Sequence, residues 1–415
     1  MKSAAELAAL VRPGQSIYVG GGLAPPGAFV EALQADPALT RDVRILSTIT
    51  PGFPNPFDFA KLHPTATLTG PLMVAEFSAA QREGRFRQLP ASFSQFLRYL
   101  GTQTFDLGVV QVAPPDANGR YSLGPNVEFQ PAALKQCRRI AVVVNPLLPS
   151  MPNAVSLGAD EIAAMCESAS AIPQYLTETD EPTDAIGRHI ADLIGDGSTI
   201  QTGIGKVPSA LAKHLSGHRN LKIYSGMVSD GVLELAKAGA LDDGADHRMA
   251  VIAGSQALYD WLPRAKQQLS VVGCAGMYTN EALAKLEQFV SVNSALEVDL
   301  LGQCNLEHLS GRAISGAGGA PDFAGTARTC RGGISVVALN ATFGRVPQSR
   351  IVSTLSPGAV VSLSRLDVDV VVTEFGVADM RVASVHERAK ALIGVAAPQF
   401  REELERAWAA TAAKL

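Results

Sequence analysis

Several features are missing from this chain, and each absence narrows what it can be. Its five cysteines (Cys137, Cys166, Cys274, Cys304 and Cys330) are odd in number and widely spaced, with no C-x-x-C pair. That pattern excludes a disulfide framework and points to a reducing cytoplasm, with most of the thiols buried and structural. No uncharged apolar run reaches the roughly 18 residues a membrane-spanning helix needs, so no membrane partner is expected. Basic excess is absent too. Charged residues are 18% of the chain and the formal net charge is −4, whereas nucleic-acid binding needs basic stripes to neutralise phosphates. Low-complexity tracts and long charge blocks are also lacking. The opening MKSAAELAALVRPG carries Glu6 inside a short apolar stretch and no cleavage-like site. It reads as a first helix and not as a targeting signal.

What is present is a 415-residue chain that is 47% hydrophobic, too long for one ordinary core, so two domains are expected. Strand-like runs such as SIYVGGG, LGVVQVA, IAVVVNP, ISVVAL and VDVVVTEFG alternate with helix-like runs, the signature of α/β layers. One internal similarity sets the organisation. Residues 14–25, GQSIYVGGGLAP, and residues 197–208, GSTIQTGIGKVP, both fit G-x-[ST]-I-x-x-G-x-G-x-x-P. Each is preceded and followed by a helical stretch. The chain therefore reads as two related open α/β domains, residues 1–182 and 183–415. Their junction falls in the acidic, proline-containing segment 175–187. A cleft between related halves is a natural ligand site.

Both repeats place a strand, a G-x-G turn and a proline ahead of a helix. Glycines let the backbone approach a ligand closely, and a helix N-terminus behind them offers N–H groups to an anion. The same pattern also serves as a plain βα turn. A dinucleotide fingerprint fits poorly, because Pro25 and Pro208 stand where the third glycine belongs and no clear acidic residue follows at the required distance. A third glycine loop, SGAGGAPDF from Ser315 to Phe323, could aim the backbone N–H groups of Gly316, Gly318 and Gly319 at a developing oxyanion. The stretch LKIYSGMVSDGVLELAKAGAL, residues 221–241, predicts a strand over Leu221 to Tyr224 and a helix from Val232. Ser225-Gly226-Met227 then forms the corner between them, a place where catalytic side chains are often presented. Here it offers a glycine. His214 and His218 lie four apart, but Gly217 interrupts the helix between them and no third ligand is in view, so no metal is expected.

Taken together, these segments resemble the acetyl-CoA hydrolase/transferase family, over almost the whole chain. The resemblance is carried by PPDANGRYSLG and IAVVVNPLLP in the first half. In the second half it is carried by QTGIGKVPSAL, YSGMVSDGVLELAKAG, GSQALYDWL, YTNEALAKLEQFVSVNSALEVDLLGQ, SGAGGAPDFAGTA, SRIVSTLSPG and DVDVVVTEFGVADMR. It implies the CoA-transferase type of fold, a coenzyme A thioester as substrate or ligand with no permanently bound cofactor, and acyl-CoA held mainly by the second domain. It also implies a small-molecule acceptor or water as the other partner, and a homodimer. By the same resemblance Gly203, Ile204, Gly205, Lys206 and Val207 contact CoA. Asn280 lies close to the thioester, and Gly318 and Gly319 supply the oxyanion contact.

Where the family carries the glutamate that attacks acyl-CoA, this chain has Gly226. Asp230, Glu234 and Glu297 are the nearby carboxylates, with Glu297 a weak candidate replacement. Ser225 and Met227 lack an adjacent base, and no histidine is placed for a relay. Val382 replaces a usual glycine and Ala397 a usual histidine. The expected activity is thioester hydrolysis or direct acyl transfer to a bound nucleophile. The alternatives are a non-catalytic acyl-CoA-binding homologue, or an ordinary CoA-transferase with an engineered Gly226.

Overall fold

The computed structural model describes residues 1–151 and 153–414. The chain divides into two compact units. The first is Met1–Tyr175 with Arg248–Thr279, and the second is Leu176–His247 with Asn280–Leu415.

In the first unit, α1 (Ala4–Ala8) begins with a reciprocal cap, in which Ser3 Oγ accepts from the Glu6 amide while the Glu6 carboxylate accepts from the Ser3 amide. Strand β1 (Ser16–Val19) leads into α2 (Gly27–Ala35). Strands β2 (Arg44–Leu46), β3 (Thr67–Gly70), β4 (Phe86–Gln88), β5 (Leu107–Val112), β6 (Ile140–Val144) and β7 (Ala164–Glu167) complete the sheet. The strand order is β4-β3-β2-β1-β5-β6-β7, parallel throughout. Every residue of β5 is buried, which is why it reads as a continuous apolar run and not an alternation.

The second unit repeats this plan. Helix α3 (Glu181–Ala191) starts where Asp180 caps the Thr183 amide and Pro182 occupies the first turn. The acidic segment 175–187 is therefore half helix, because Asp-Glu-Pro-Thr is a helix start as much as a linker. Then follow β8 (Thr199–Gln201), α4 (Lys206–His214), β9 (Lys222–Val228) and α5 (Gly231–Lys237). After Asn280 come α6 (Asn280–Leu283), β10 (Phe289–Ser294), β11 (Glu297–Asp299), α7 (Ala320–Thr329) and β12 (Ile334–Ala338). The chain closes with β13 (Val370–Thr373), β14 (Gly376–Asp379), α8 (Val385–Val395) and α9 (Pro398–Ala412).

The order across this unit is β9-β8-β10-β12-β13-β14, parallel up to the antiparallel edge pair β13 and β14. As β1 has β2 on one side and β5 on the other, β8 has β9 on one side and β10 on the other. The sequence repeat is thus a repeat of topology. The two units are related open α/β domains. No helix among the described residues is long and apolar enough to cross a membrane.

Candidate active site

The two glycine loops, alike in sequence, differ in what surrounds them. A Cβ built on Gly21 would stand 1.9 Å from the Thr48 carbonyl oxygen, and one on Gly22 2.5 Å from Asn126 Oδ1 and 2.7 Å from the Glu128 carboxyl. Glycine is needed there because the protein packs its own groups against the loop. A Cβ on Gly203 would meet nothing within 4 Å, so the second loop faces open space. Gly203 and Gly205 adopt φ of +74° and +118°, which favours glycine.

Gly205 is the residue before α4, and Lys206, Val207 and Pro208 form its first turn. Pro208 is inside the helix, whereas α2 begins after Pro25 and Pro26; a proline is tolerated so early because the first N–H groups have no intrahelical partner. Lys206 Nζ pairs with Asp180 Oδ2 at 2.7 Å. The Lys206 ammonium, followed by the Thr183 hydroxyl, draws the Asp180 carboxyl down to about 2.

The corner expected at Ser225-Gly226-Met227 is not a corner. Strand β9 runs through it to Val228, and the turn into α5 falls at Ser229-Asp230. Ser225 is fully buried. Its Oγ accepts from the Gly203 amide at 3.3 Å and donates to the Met227 carbonyl at 2.7 Å, so its polarity is satisfied inside the sheet and no turn is required. The low strand propensity of glycine is overridden by this packing.

Side chains alternate across a strand, so Gly226 shares a face with Tyr224. The Tyr224 ring lies 6.2 Å from Phe289 of β10 and 6.3 Å from Phe323 of α7. Helix α7 therefore covers this face. Four residues, 330–333, separate the end of α7 from the start of β12, so α7 runs antiparallel to the strands and its N-terminus sits at their carboxyl ends. Gly319 is the residue before that helix, and Gly318 precedes it at φ +59°. Gly318, Gly319 and Gly226 consequently lie at the same end of the same face. On the opposite face, Ile200, Ile223, Pro208, Leu211 and Leu235 line a cavity of about 30 Å³ beneath α4 and α5. Ligands of open α/β sheets bind outside the carboxyl ends of strands where the strand order reverses. In this unit that point is β8, whose sequel β9 lies on one side and β10 on the other.

The remaining sequence candidates fall into place less evenly. Asn280 is exposed as the first residue of the short α6. Glu234 is exposed on α5, and Asp230 stands just before it. Glu297 is buried and committed: Asn305 Nδ2 donates to it at 3.0 Å, the Ser356 amide at 3.1 Å and Ser356 Oγ at 2.6 Å. Val382 adopts φ +51° with its side chain fully exposed, beside an Arg381 guanidinium that holds both Asp379 oxygens. Ala397 is buried at the start of α9. His214 pairs with Asp184 at 3.1 Å, and His218 meets the Ile194 carbonyl at 2.9 Å. Among the described residues no three His, Cys, Asp or Glu side chains gather as metal ligands.

Two groups escaped the sequence reading. One is a polar network of the buried Gln201 and Ser291 with the half-buried Asn293, signalled only by a glutamine ending an apolar strand. The other is Glu128, buried at φ +42°, with Thr48 Oγ1 donating to it at 2.8 Å.

Comparison with known proteins bears on the same segments. Residues 1–186 match the acetyl-CoA hydrolase/transferase N-terminal domain, and residues 254–408 match the corresponding C-terminal domain. The 4-hydroxybutyrate coenzyme A transferase of Clostridium kluyveri is 35% identical over 311 residues, 72% of this chain and 71% of that protein. The succinyl-CoA:acetate/propanoyl-CoA:succinate CoA transferase of Fasciola hepatica is 30% identical over 419 residues, 96% of this chain and 85% of that protein. Among solved structures, RipA from Yersinia pestis superposes with a TM-score of 0.89 at 25% identity, covering 98% of this chain and 96% of that one. The chain belongs to the acetyl-CoA hydrolase/transferase family. It is an enzyme of the CoA-transfer or thioester-hydrolysis type.

Proposed function

We propose that this member of the family cleaves an acyl-CoA thioester by direct attack of water, or of a small bound acceptor, instead of passing the acyl group through an enzyme carboxylate. The observation that carries this reading is Gly226. It lies in β9 on the face covered by α7, at the strand end where the Gly318 and Gly319 amides begin that helix. Covalent double displacement requires a carboxylate there to hold the acyl group and then CoA, and glycine supplies none. The room of a missing side chain beside polar backbone can hold water. Gly318 and Gly319 N–H groups would take the charge that develops on the carbonyl oxygen, a contribution on the order of 10²-fold or more per donor. Residues 203–207 would seat the CoA, with Lys206 exchanging Asp180 for a phosphate, and Asn280 would approach the thioester.

The test is to incubate the protein with acetyl-, propionyl-, butyryl- and succinyl-CoA and to follow free thiol with and without carboxylate, amine and alcohol acceptors. Thiol release with water alone is the expected result, and no release under any condition sinks the reading.

A second reading, a non-catalytic acyl-CoA binder, draws on Val382. A β-branched residue in the left-handed region is strained, and such strain is expected where selection on a former active-site segment has relaxed. Under that reading CoA raises the melting temperature by mass action while the thioester stays intact for hours.

A further inference from the structure

We propose that Asn293 is the residue that holds the attacking water, with Ser291 and Gln201 as the residues that position it. This rests on the hydrolytic reading above and assigns that reading its nucleophile site.

The argument begins with register. Gln201 of β8 pairs with Ser291 of β10, and Asn293 lies two residues beyond Ser291 on the same face. That is the Tyr224, Phe289 and Gly226 face under α7. Beyond Gln201 the strand β8 ends, and the chain turns away through Gly203, which projects no side chain and has open space where one would be. Strands are spaced about 4.8 Å apart. Beyond the end of β8, the flanking strands β9 and β10 are thus separated by roughly two strand spacings, about 10 Å. Gly226 stands on one side of this trough and Asn293 on the other.

The Asn293 carboxamide is fixed. Its Nδ2 donates to Ser291 Oγ at 2.9 Å and to Gln201 Oε1 at 3.4 Å. Ser291 Oγ donates in turn to Gln201 Oε1 at 2.7 Å, and Gln201 Nε2 donates to the Val292 carbonyl at 3.4 Å. Gln201 and Ser291 are buried, and Asn293 is half-buried. Ser291 Oγ and Gln201 Oε1 hold Nδ2 on the sheet side, and Oδ1 accepts no hydrogen bond from the described residues. On this proposal it faces the carboxyl end of the strands. A buried network directed at a single half-exposed acceptor is more polarity than packing alone calls for. An acceptor at that point can take one O–H of a water and leave an oxygen lone pair for the thioester carbon.

The step balances. The water oxygen bonds to the carbonyl carbon while the C=O electron pair moves onto oxygen, toward the Gly318 and Gly319 amides. The pair returns, the C–S bond breaks, and CoA leaves as a thiolate that takes the proton released by the water. The products are the free carboxylic acid and CoA thiol.

The experiment compares native protein with Asn293→Ala and Asn293→Asp, measuring kcat for thiol release from acetyl- and butyryl-CoA and the CoA-induced rise in melting temperature. Asn293→Ala is expected to lose about ten- to a hundredfold in kcat, the scale set by a misplaced reacting group, with the CoA-induced shift unchanged. Asn293→Asp keeps an acceptor oxygen, and Ser291 and Gln201 can rotate to donate to it. It should recover part of the rate and gain a pH profile rising as the new carboxyl ionises. That profile is a readout a structural role would not produce, and it stands even if the alanine variant fails to fold.

An Asn293→Ala kcat within twofold of native, or an Asn293→Asp profile unchanged from native, overturns the assignment and leaves hydrolysis standing. If native protein releases no thiol under any condition, the hydrolytic reading falls and the assignment of Asn293 falls with it.

Discussion

Ser225 Oγ and the Gly203 amide, 3.3 Å apart, join the end of β9 to the glycine loop that follows β8. The hydroxyl is buried and also donates to the Met227 carbonyl, so one side chain fixes both the open loop and the strand that displays Gly226. Ser225→Ala leaves two part-buried backbone groups without their partner, which costs about 1 kcal/mol. It should lower the urea midpoint with an unchanged m-value and weaken CoA binding, both read in one titration series. Full CoA affinity in this variant would show that the loop is positioned by other contacts.

Placing a carboxylate at position 226 is the direct test of the proposal that Gly226 stands where the family carries its nucleophile. Gly226→Glu projects a carboxylate on the α7 face at the strand ends, and incubation with acyl-CoA should yield a glutamyl-CoA adduct, visible by mass spectrometry and sensitive to borohydride. Native protein should give no adduct at this position. A folded, CoA-binding Gly226→Glu that stays inert would mean that further parts of the site have diverged.

Much of this was legible before the structure, for identifiable reasons. The α/β layering follows from buried parallel strands written as apolar runs, and the repeat at 14–25 and 197–208 carries the paired topology. Local chemistry misled at Ser225-Gly226-Met227, where glycine reads as a turn but cross-strand hydrogen bonding keeps the strand going. Nothing local announces that residues 248–279 return to the first unit, because that depends on contacts distant in sequence. Gln201, Ser291 and Asn293 were invisible for the same reason: each is an ordinary polar residue until register brings the three together. The different surroundings of the two glycine loops were likewise unreadable, since Asn126 and Glu128 lie about a hundred residues from the loop they pack against.

Glu297 separates the structural and nucleophilic readings of a buried carboxylate. Three donors from Asn305 and Ser356 hold it, so Glu297→Gln should destabilise by roughly 1–3 kcal/mol through mismatched hydrogen bonds and leave thiol release per folded molecule within about twofold of native, a range under 0.5 kcal/mol of barrier. A covalent acyl or CoA adduct on Glu297 would overturn this and the loss of the nucleophile together.

Val382 stores strain that glycine would release. Its φ of +51° and full exposure mean that no packing is lost on truncation. A non-glycine residue in the left-handed region costs of order 1–3 kcal/mol, against roughly 0.5–1 kcal/mol of extra chain entropy for glycine. Val382→Gly should therefore stabilise by about 1 kcal/mol, measured as a higher denaturant midpoint. A lower midpoint would mean that Val382 is covered in the assembled protein.

Glu128 should make stability depend on pH near neutrality. Burial is the main cause of its shift, partly opposed by the hydrogen bond from Thr48, and it pushes the carboxyl from 4.5 up to about 7. Between those values the folded protein keeps a proton that the unfolded chain has released, so the folded state binds more protons and stability falls as pH rises. The contribution is whole below about 4.5 and lost as pH rises through about 7. At 1.36 kcal/mol per pH unit its full span is on the order of 3 kcal/mol. Glu128→Gln mimics the protonated form and keeps an acceptor for Thr48. Its urea midpoint should match native protein near pH 4.5, exceed it at pH 8, and show a flatter profile between. Parallel profiles for the two proteins would mean that Glu128 is already ionised in the fold, and that the charge is balanced by a group other than Thr48.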